Sequence, residues 1–178
     1  MKKAINPLLL IFFLARLTGS AMAQNGLAEN LQVFKPFLGK TWKGEFKNST
    51  PEKPVIDVSR WERTLNGQAI RITHSINNGE YGGESIIMWD MKKQSLVYYY
   101  FTTAGFYTTG TMTVENNKFI SHEYVTGNQD GVTEVKGTSE LTPDGKWITQ
   151  SQYLKDGKWV DGHAATYVED SSAQVVFK

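Results

Sequence analysis

The chain has no cysteine, which removes disulfides, thiolate nucleophiles and thiolate metal ligands, along with any export signal that ends in a lipidated cysteine. It has only 3 histidines and 5 prolines in 178 residues, so neither a histidine-rich metal tract nor a proline-rich linker is present. No apolar run reaches the roughly 20 residues a membrane-spanning helix needs. There is no Gly-x-Ser-x-Gly elbow for a serine nucleophile. The glycine-rich stretch Gly79-Glu80-Tyr81-Gly82-Gly83 lacks the spacing and the following helix of a phosphate loop, and it is read as a flexible hairpin at a barrel mouth.

The N-terminus is expected to be a secretory signal peptide, residues 1–23. Lys2 and Lys3 form its positive start, residues 8–14 its short apolar stretch, and Ala21-Met22-Ala23 the small-x-small cleavage pattern before Gln24. Losing Lys2, Lys3 and Arg16 takes the 19 basic residues to 16 against 18 acidic ones. A slightly negative mature chain has no electrostatic reason to bind nucleic acid. The expected destination is the periplasm or exterior of a bacterium, with no stable membrane anchor once the signal is cut. Residues 24–178 suit one domain large enough to bury a core. Without disulfides, its stability must come from packing and closure of a sheet.

What the chain does have is a ladder of aromatic and β-branched runs separated by turn residues. Residues 26–39 carry Leu27, Leu31 and Phe34 at helical spacing, with Pro36 as the stop, so a short helix capping one end is expected. Strands are expected over 41–47, 55–63, 70–76, 85–89, 96–102, 106–114, 119–125, 132–141, 147–154 and 159–168. Asn66-Gly67 reads as a two-residue hairpin, and Asn116-Asn117, Asp144-Gly145 and Asp156-Gly157 as further turns. Short loops pair strands that are neighbours in sequence. The fold class is therefore all-β: an up-and-down antiparallel barrel of about ten strands. A barrel of that size can hold one small ligand.

Trp42, Tyr98, Tyr100, Tyr153, Trp159 and Tyr167 lie at alternating positions from which rings can point inward, either to line a pocket or to fill a core. His74, His122 and His163 fall on three different strands, with His74 on an apolar face beside Ile70, Ile72 and Ile76. Their spacing specifies no metal site. Arg71, Glu84, Glu123 and Glu134 are charged residues within strand patterns, which an exposed face carries routinely. The ligand-binding candidates are Trp42, His74, Tyr98, Tyr100, Tyr153, His163 and Tyr167, with no catalytic or metal-binding residue assigned.

The segment Phe37-Leu38-Gly39-Lys40-Thr41-Trp42-Lys43-Gly44-Glu45-Phe46 resembles the opening of calycin-type barrels, the lipocalins and fatty-acid-binding proteins among them. In these a helical turn leads into a Gly-x-Trp first strand; here one extra residue separates Gly39 from Trp42. The late-barrel arginine that lipocalins set against that tryptophan has no counterpart. Residues 82–90, Asp144-Gly145-Lys146 and Asp156-Gly157-Lys158 are similar to exported bacterial lipocalin-like domains, a resemblance that spans nearly the whole mature chain. It implies a lipocalin-like barrel that binds a small apolar or amphipathic molecule. A more distant resemblance is to nitrobindin-like haem-binding barrels, which supply a proximal histidine from the last strand. The corresponding residue is His163, expected one residue out of register and hence facing the opposite side of its strand.

Four readings follow. A non-enzymatic binding barrel predicts a cavity lined by tyrosine and tryptophan, and it is the leading one. A haem or gas-binding barrel predicts His163 above a planar slot. An enzyme predicts interior Tyr, His and Glu side chains converging. A filled barrel predicts a lumen below about 300 Å³.

Overall fold

The computed structural model describes residues 26–178; the expected signal peptide, residues 1–23, lies outside them. Ten strands form one closed barrel: β1 (Thr41–Phe46), β2 (Ile56–Thr64), β3 (Ala69–Ile76), β4 (Tyr81–Asp90), β5 (Ser95–Thr102), β6 (Tyr107–Glu115), β7 (Lys118–Thr126), β8 (Val132–Leu141), β9 (Trp147–Lys155) and β10 (Lys158–Glu169). Each strand pairs antiparallel with its neighbours in sequence, and β1 closes against β10, with Gly44 opposite Tyr167. Closure leaves no unpaired strand edge, which suits a chain without disulfides.

Two expectations change. Strand β4 begins at Tyr81, not Ser85, so Gly82-Gly83 are paired strand residues opposite Ser75 and His74. The β2–β3 connection is longer than the two-residue hairpin expected, with Leu65–Gly67 making a helical turn and Gln68 completing the loop.

The N-terminal helix is a 3-10 helix, Glu29–Phe37, with Pro36 inside it. Its buried residues are Leu31, Phe34 and Phe37. At three residues per turn these three stack on one face, whereas an α-helix would rotate Phe37 away. The helix closes one end of the barrel. Phe37 sits at the centre of that plug, with ring centroids 4.7 Å from Trp61, 5.5 Å from Trp42, 5.8 Å from Trp147 and 5.9 Å from Phe119. Hydrogen bonds from Ala28 N–H to the Gly67 carbonyl and from Arg63 Nε to the Gly26 carbonyl tie the plug to the β2–β3 turn.

The inward residues divide the interior into two halves along the barrel axis. The plugged half is aromatic and aliphatic: Trp42, Trp61, Ile70, Ile87, Leu96 and Phe119 are all buried there. The opposite half gathers the inward polar residues at the other strand ends, starting with Asp57 on β2 and His74 on β3.

Candidate binding site in the barrel lumen

Four of the inward glycines that shape the lumen are each covered by a tyrosine ring. A Cβ on Gly44 would stand 2.5 Å from the Tyr167 ring, one on Gly110 2.7 Å from Tyr98, and one on Gly162 2.8 Å from Tyr153. A Cβ on Gly83 would collide with Tyr100. The absent side chains let the rings lie flat along the wall and aim their hydroxyls sideways. Gly44→Ala is accordingly expected to lift Tyr167 off the wall, costing about 1–3 kcal/mol as an overpacked core position. A thermal melt checks the cost. A stability equal to the parent chain would show that the Tyr167 ring has room to move.

The tyrosines end in a connected network. Asp57 is 3 % exposed. Its Oδ1 lies 2.8 Å from His74 Nδ1, and its Oδ2 accepts the Tyr167 hydroxyl at 2.9 Å. His74 Nε2 lies 2.7 Å from the Tyr100 hydroxyl, which lies 2.9 Å from that of Tyr81. Burial pushes the hydroxyls of Tyr81, Tyr100 and Tyr167 above the ordinary tyrosine range, so all three stay protonated. On the facing wall, the Tyr153 hydroxyl lies 2.7 Å from His163 Nδ1, and the His163 ring packs 4.7 Å from that of Phe46. Burial among protein atoms lowers the pKa of His163, with nearby Asp57 opposing the shift and His74 adding to it. Its side chain nevertheless faces open space in the lumen and remains accessible to water.

Glu123 on β7 also points inward, paired across the strands with Gly110 and Val135. It accepts the Thr108 hydroxyl at 2.6 Å. The Tyr98 hydroxyl is buried beside Glu123 and Ser121, without hydrogen-bond geometry to either. Glu123 is enclosed by protein but half-exposed to the lumen. That enclosure raises its carboxyl above the ordinary carboxylate range; the Thr108 hydroxyl offsets part of the rise. The folded state thus holds this proton more tightly than the unfolded chain. Its contribution is fully present below the unfolded pKa and is lost as pH rises through the raised folded value. Glu123→Gln is expected to melt higher than the parent chain at neutral pH and to converge with it in acid. Melting temperatures measured across pH check this, and parallel curves would refute it.

A cavity of about 270 Å³ opens between these walls. Its lining mixes apolar Phe46, Met112, Phe119 and Tyr167 with polar Ser121, Ser139, Thr149, Ser151 and His163, and the two kinds adjoin, Met112 pairing with Ser121 and Phe119 with Ser139. The space exists because β7, β8 and β9 turn small residues inward where their neighbours turn aromatics. Larger depressions of about 800 and 950 Å³ lie on the outer face of β6–β10, beside His122 and Lys136, and along the C-terminal tail beside Asn77 and Gln174. The lumen is the site of interest because the buried hydrogen-bonded groups converge there.

Of the sequence candidates, the structure gathers His74, Tyr100, Tyr153, His163 and Tyr167 in the polar half of the lumen. Trp42 belongs to the plug, 1 % exposed against Phe37 and Trp147. Tyr98 lies buried between the halves. Trp159 faces outward, with the Lys136 ammonium 4.1 Å from its ring centroid. His122 also faces outward, 2.7 Å from Glu134, so the three histidines do not converge. Arg71 and Glu84 pair on the outer face at 2.7 Å. His163, expected on the opposite face, points inward with Ala165 and Tyr167 by plain alternation; the register shift between Asp161 and Ala164 instead turns Trp159 and Asp161 outward. Sequence reading missed Asp57, whose strand shows no apolar alternation around it, and Tyr81, which was assigned to a hairpin.

The inward His163 invites comparison with a haem ligand. The cavity beside it, about 270 Å³, is smaller than typical pockets for drug-sized ligands, which start at about 300 Å³.

Fold and site together define a closed, up-and-down antiparallel barrel with a plugged end and a polar lumen. No known family matches the chain, and no curated protein matches it in sequence. Among solved structures it is similar to Rv2717c from M. tuberculosis, with a TM-score of 0.61 and 15% identity over 81% of this chain and 99% of that one. A likeness at that identity shows the fold alone.

Proposed function

We propose that the chain is an exported binding barrel that holds one small amphipathic molecule in its lumen and catalyses no reaction. The mixed lining of the cavity carries this reading. Phe46, Met112, Phe119 and Tyr167 give it apolar surface, and the hydroxyls of β7–β9 with His163 add directed polar contacts, the mixture that suits an amphipathic ligand. At about 270 Å³ the space falls just under the value of about 300 Å³ that separates an open from a filled barrel, so the reading requires a ligand smaller than a typical drug. Export rests on the leader pattern of residues 1–23.

Native mass spectrometry of the protein, purified from its own compartment, tests the reading. The expected result is a reproducible non-covalent adduct on a chain beginning at Gln24. Ser139→Leu places a larger apolar side chain on the cavity wall, so it is expected to abolish the adduct while the protein still folds. A bare protein, or an adduct indifferent to Ser139→Leu, would turn the assignment to a filled barrel or to an outer-face site.

A further inference from the structure

We infer that the outer face of β5 and β6 is the interface with a second copy of this chain, in a two-fold dimer. The inference concerns the outside of the barrel and does not depend on what the lumen holds.

The alternation that sends Tyr98 and Thr108 into the barrel sends Val97, Tyr99 and Phe101 of β5, and Tyr107, Thr109 and Thr111 of β6, to its outside. No charged side chain joins them before Glu115, the last residue of β6. Charged pairs stand to either side, Arg71 with Glu84 on β3 and β4, and His122 with Glu134 on β7 and β8. Cross-strand register makes the uncharged patch continuous. Ile86, Tyr99, Thr109 and Tyr124 form one row across β4–β7, and Met88, Val97 and Thr111 lie in the next. Phe101 pairs with Tyr107 at the open end, with ring centroids 6.2 Å apart. A surface depleted of charge and rich in tyrosine, phenylalanine and methionine has the composition of the buried centre of a protein interface.

The area fits a dimer of moderate strength. Met88, Tyr99, Phe101, Tyr107 and Tyr124 are 38 %, 47 %, 52 %, 40 % and 58 % exposed. At about half of the roughly 200 Å² that such a side chain can bury, the five present about 500 Å², near the upper end for the largest patch on a monomer. Two such faces bury about 1,000 Å², and the threonines between the rings bring the total towards about 1,200 Å², the lower end for a specific complex. The walls of a closed barrel are convex, so contact centres on β5 and β6 and grows no larger.

A second copy fits because the patch is complementary to itself. A two-fold axis parallel to the strands, between β5 and β6, lays β5 of one copy on β6 of the other. Tyr99 then meets Thr109 and Val97 meets Thr111, a large side chain on a small one, and symmetry makes each contact twice. Phe101 meets Tyr107 of the second copy, an aromatic pair. No like charges are brought together at the centre.

Sedimentation equilibrium of the protein in the form its host makes, from about 1 to 100 µM, tests the inference, and the expected result is a monomer–dimer equilibrium with a Kd in the micromolar range. Tyr99→Lys sets two cations beside the two-fold axis and removes a central ring. It is expected to raise the Kd a hundredfold or more, since like charges meeting in an interface are strongly disfavoured. Tyr107→Lys gives the same readout if Tyr99→Lys does not fold. Ile148→Lys adds the same charge on the outer wall of β9, away from the patch, and is expected to leave the dimer intact. A monomer throughout the range, a dimer indifferent to Tyr99→Lys and Tyr107→Lys, or a dimer lost equally in Ile148→Lys would each overturn the inference. A monomer that binds phosphatidylcholine vesicles through this face would overturn it in favour of a bilayer surface.

Discussion

Phe37→Ala is expected to lower stability by about 4 kcal/mol, the cost of emptying a fully packed aromatic site. For a chain of this size that is a fall in melting temperature of roughly 8–16 °C. Phe37 is 1 % exposed and sits among Trp42, Trp61, Phe119 and Trp147, so its ring is the piece that joins the helix to both sides of the barrel. The aromatic contacts contribute beyond the area they bury. The neighbouring rings belong to different strands and cannot close inward together without bending the sheet. A denaturant melt gives the value, and a loss under about 1.5 kcal/mol, the scale of a volume-conserving swap, would show that the helix is not the plug assigned to it.

Asp57→Ala is expected to cost about 2–5 kcal/mol, because it leaves the His74 Nδ1–H and the buried Tyr167 hydroxyl without their acceptor. Tyr167→Phe removes only one donor, and its cost is expected near 1 kcal/mol. The double variant is the sharper measurement. If the carboxylate and the hydroxyl are partners, Asp57→Ala with Tyr167→Phe costs less than the sum of the two single changes, since the second no longer strands a group. Strict additivity would mean that Tyr167 is held by its stacking on Trp147, at 4.4 Å, and not by Asp57.

The distribution of errors in the sequence reading has a physical pattern. Val132–Leu141 is found at the bounds expected of it, and the other strands differ from expectation mostly by a residue or two at their ends. Those segments alternate cleanly and end in turn residues with left-handed backbone, such as Asn116, Asn117 and Asp156. The larger errors fall where local pattern and tertiary need disagree. Gly82-Gly83 carry turn composition yet lie in a strand, because Tyr100 needs the space a side chain on Gly83 would occupy and the His74 carbonyl stands where one on Gly82 would. Trp159, read as a ring that can point inward, faces outward because a bulge adds a residue that alternation cannot count. Pro36, read as a helix stop, sits inside a 3-10 helix, whose tighter period brings Phe37 onto the buried face.

By itself, the sequence determined an all-β chain of ten runs, the order in which they pair and the polar and aromatic stock of the interior. Alternation and turn chemistry are local, and short loops leave neighbouring strands little choice of partner. Only the tertiary structure decided which tyrosines meet. Asp57 and Tyr167 are 110 residues apart in sequence, and closure of β1 against β10 brings β10 within reach of β2. The same closure divides the lumen into a plugged apolar half and a polar half. The inward direction of each ring and the cavity against His163 depend on register across the whole barrel, a property of ten strands together and of no single segment.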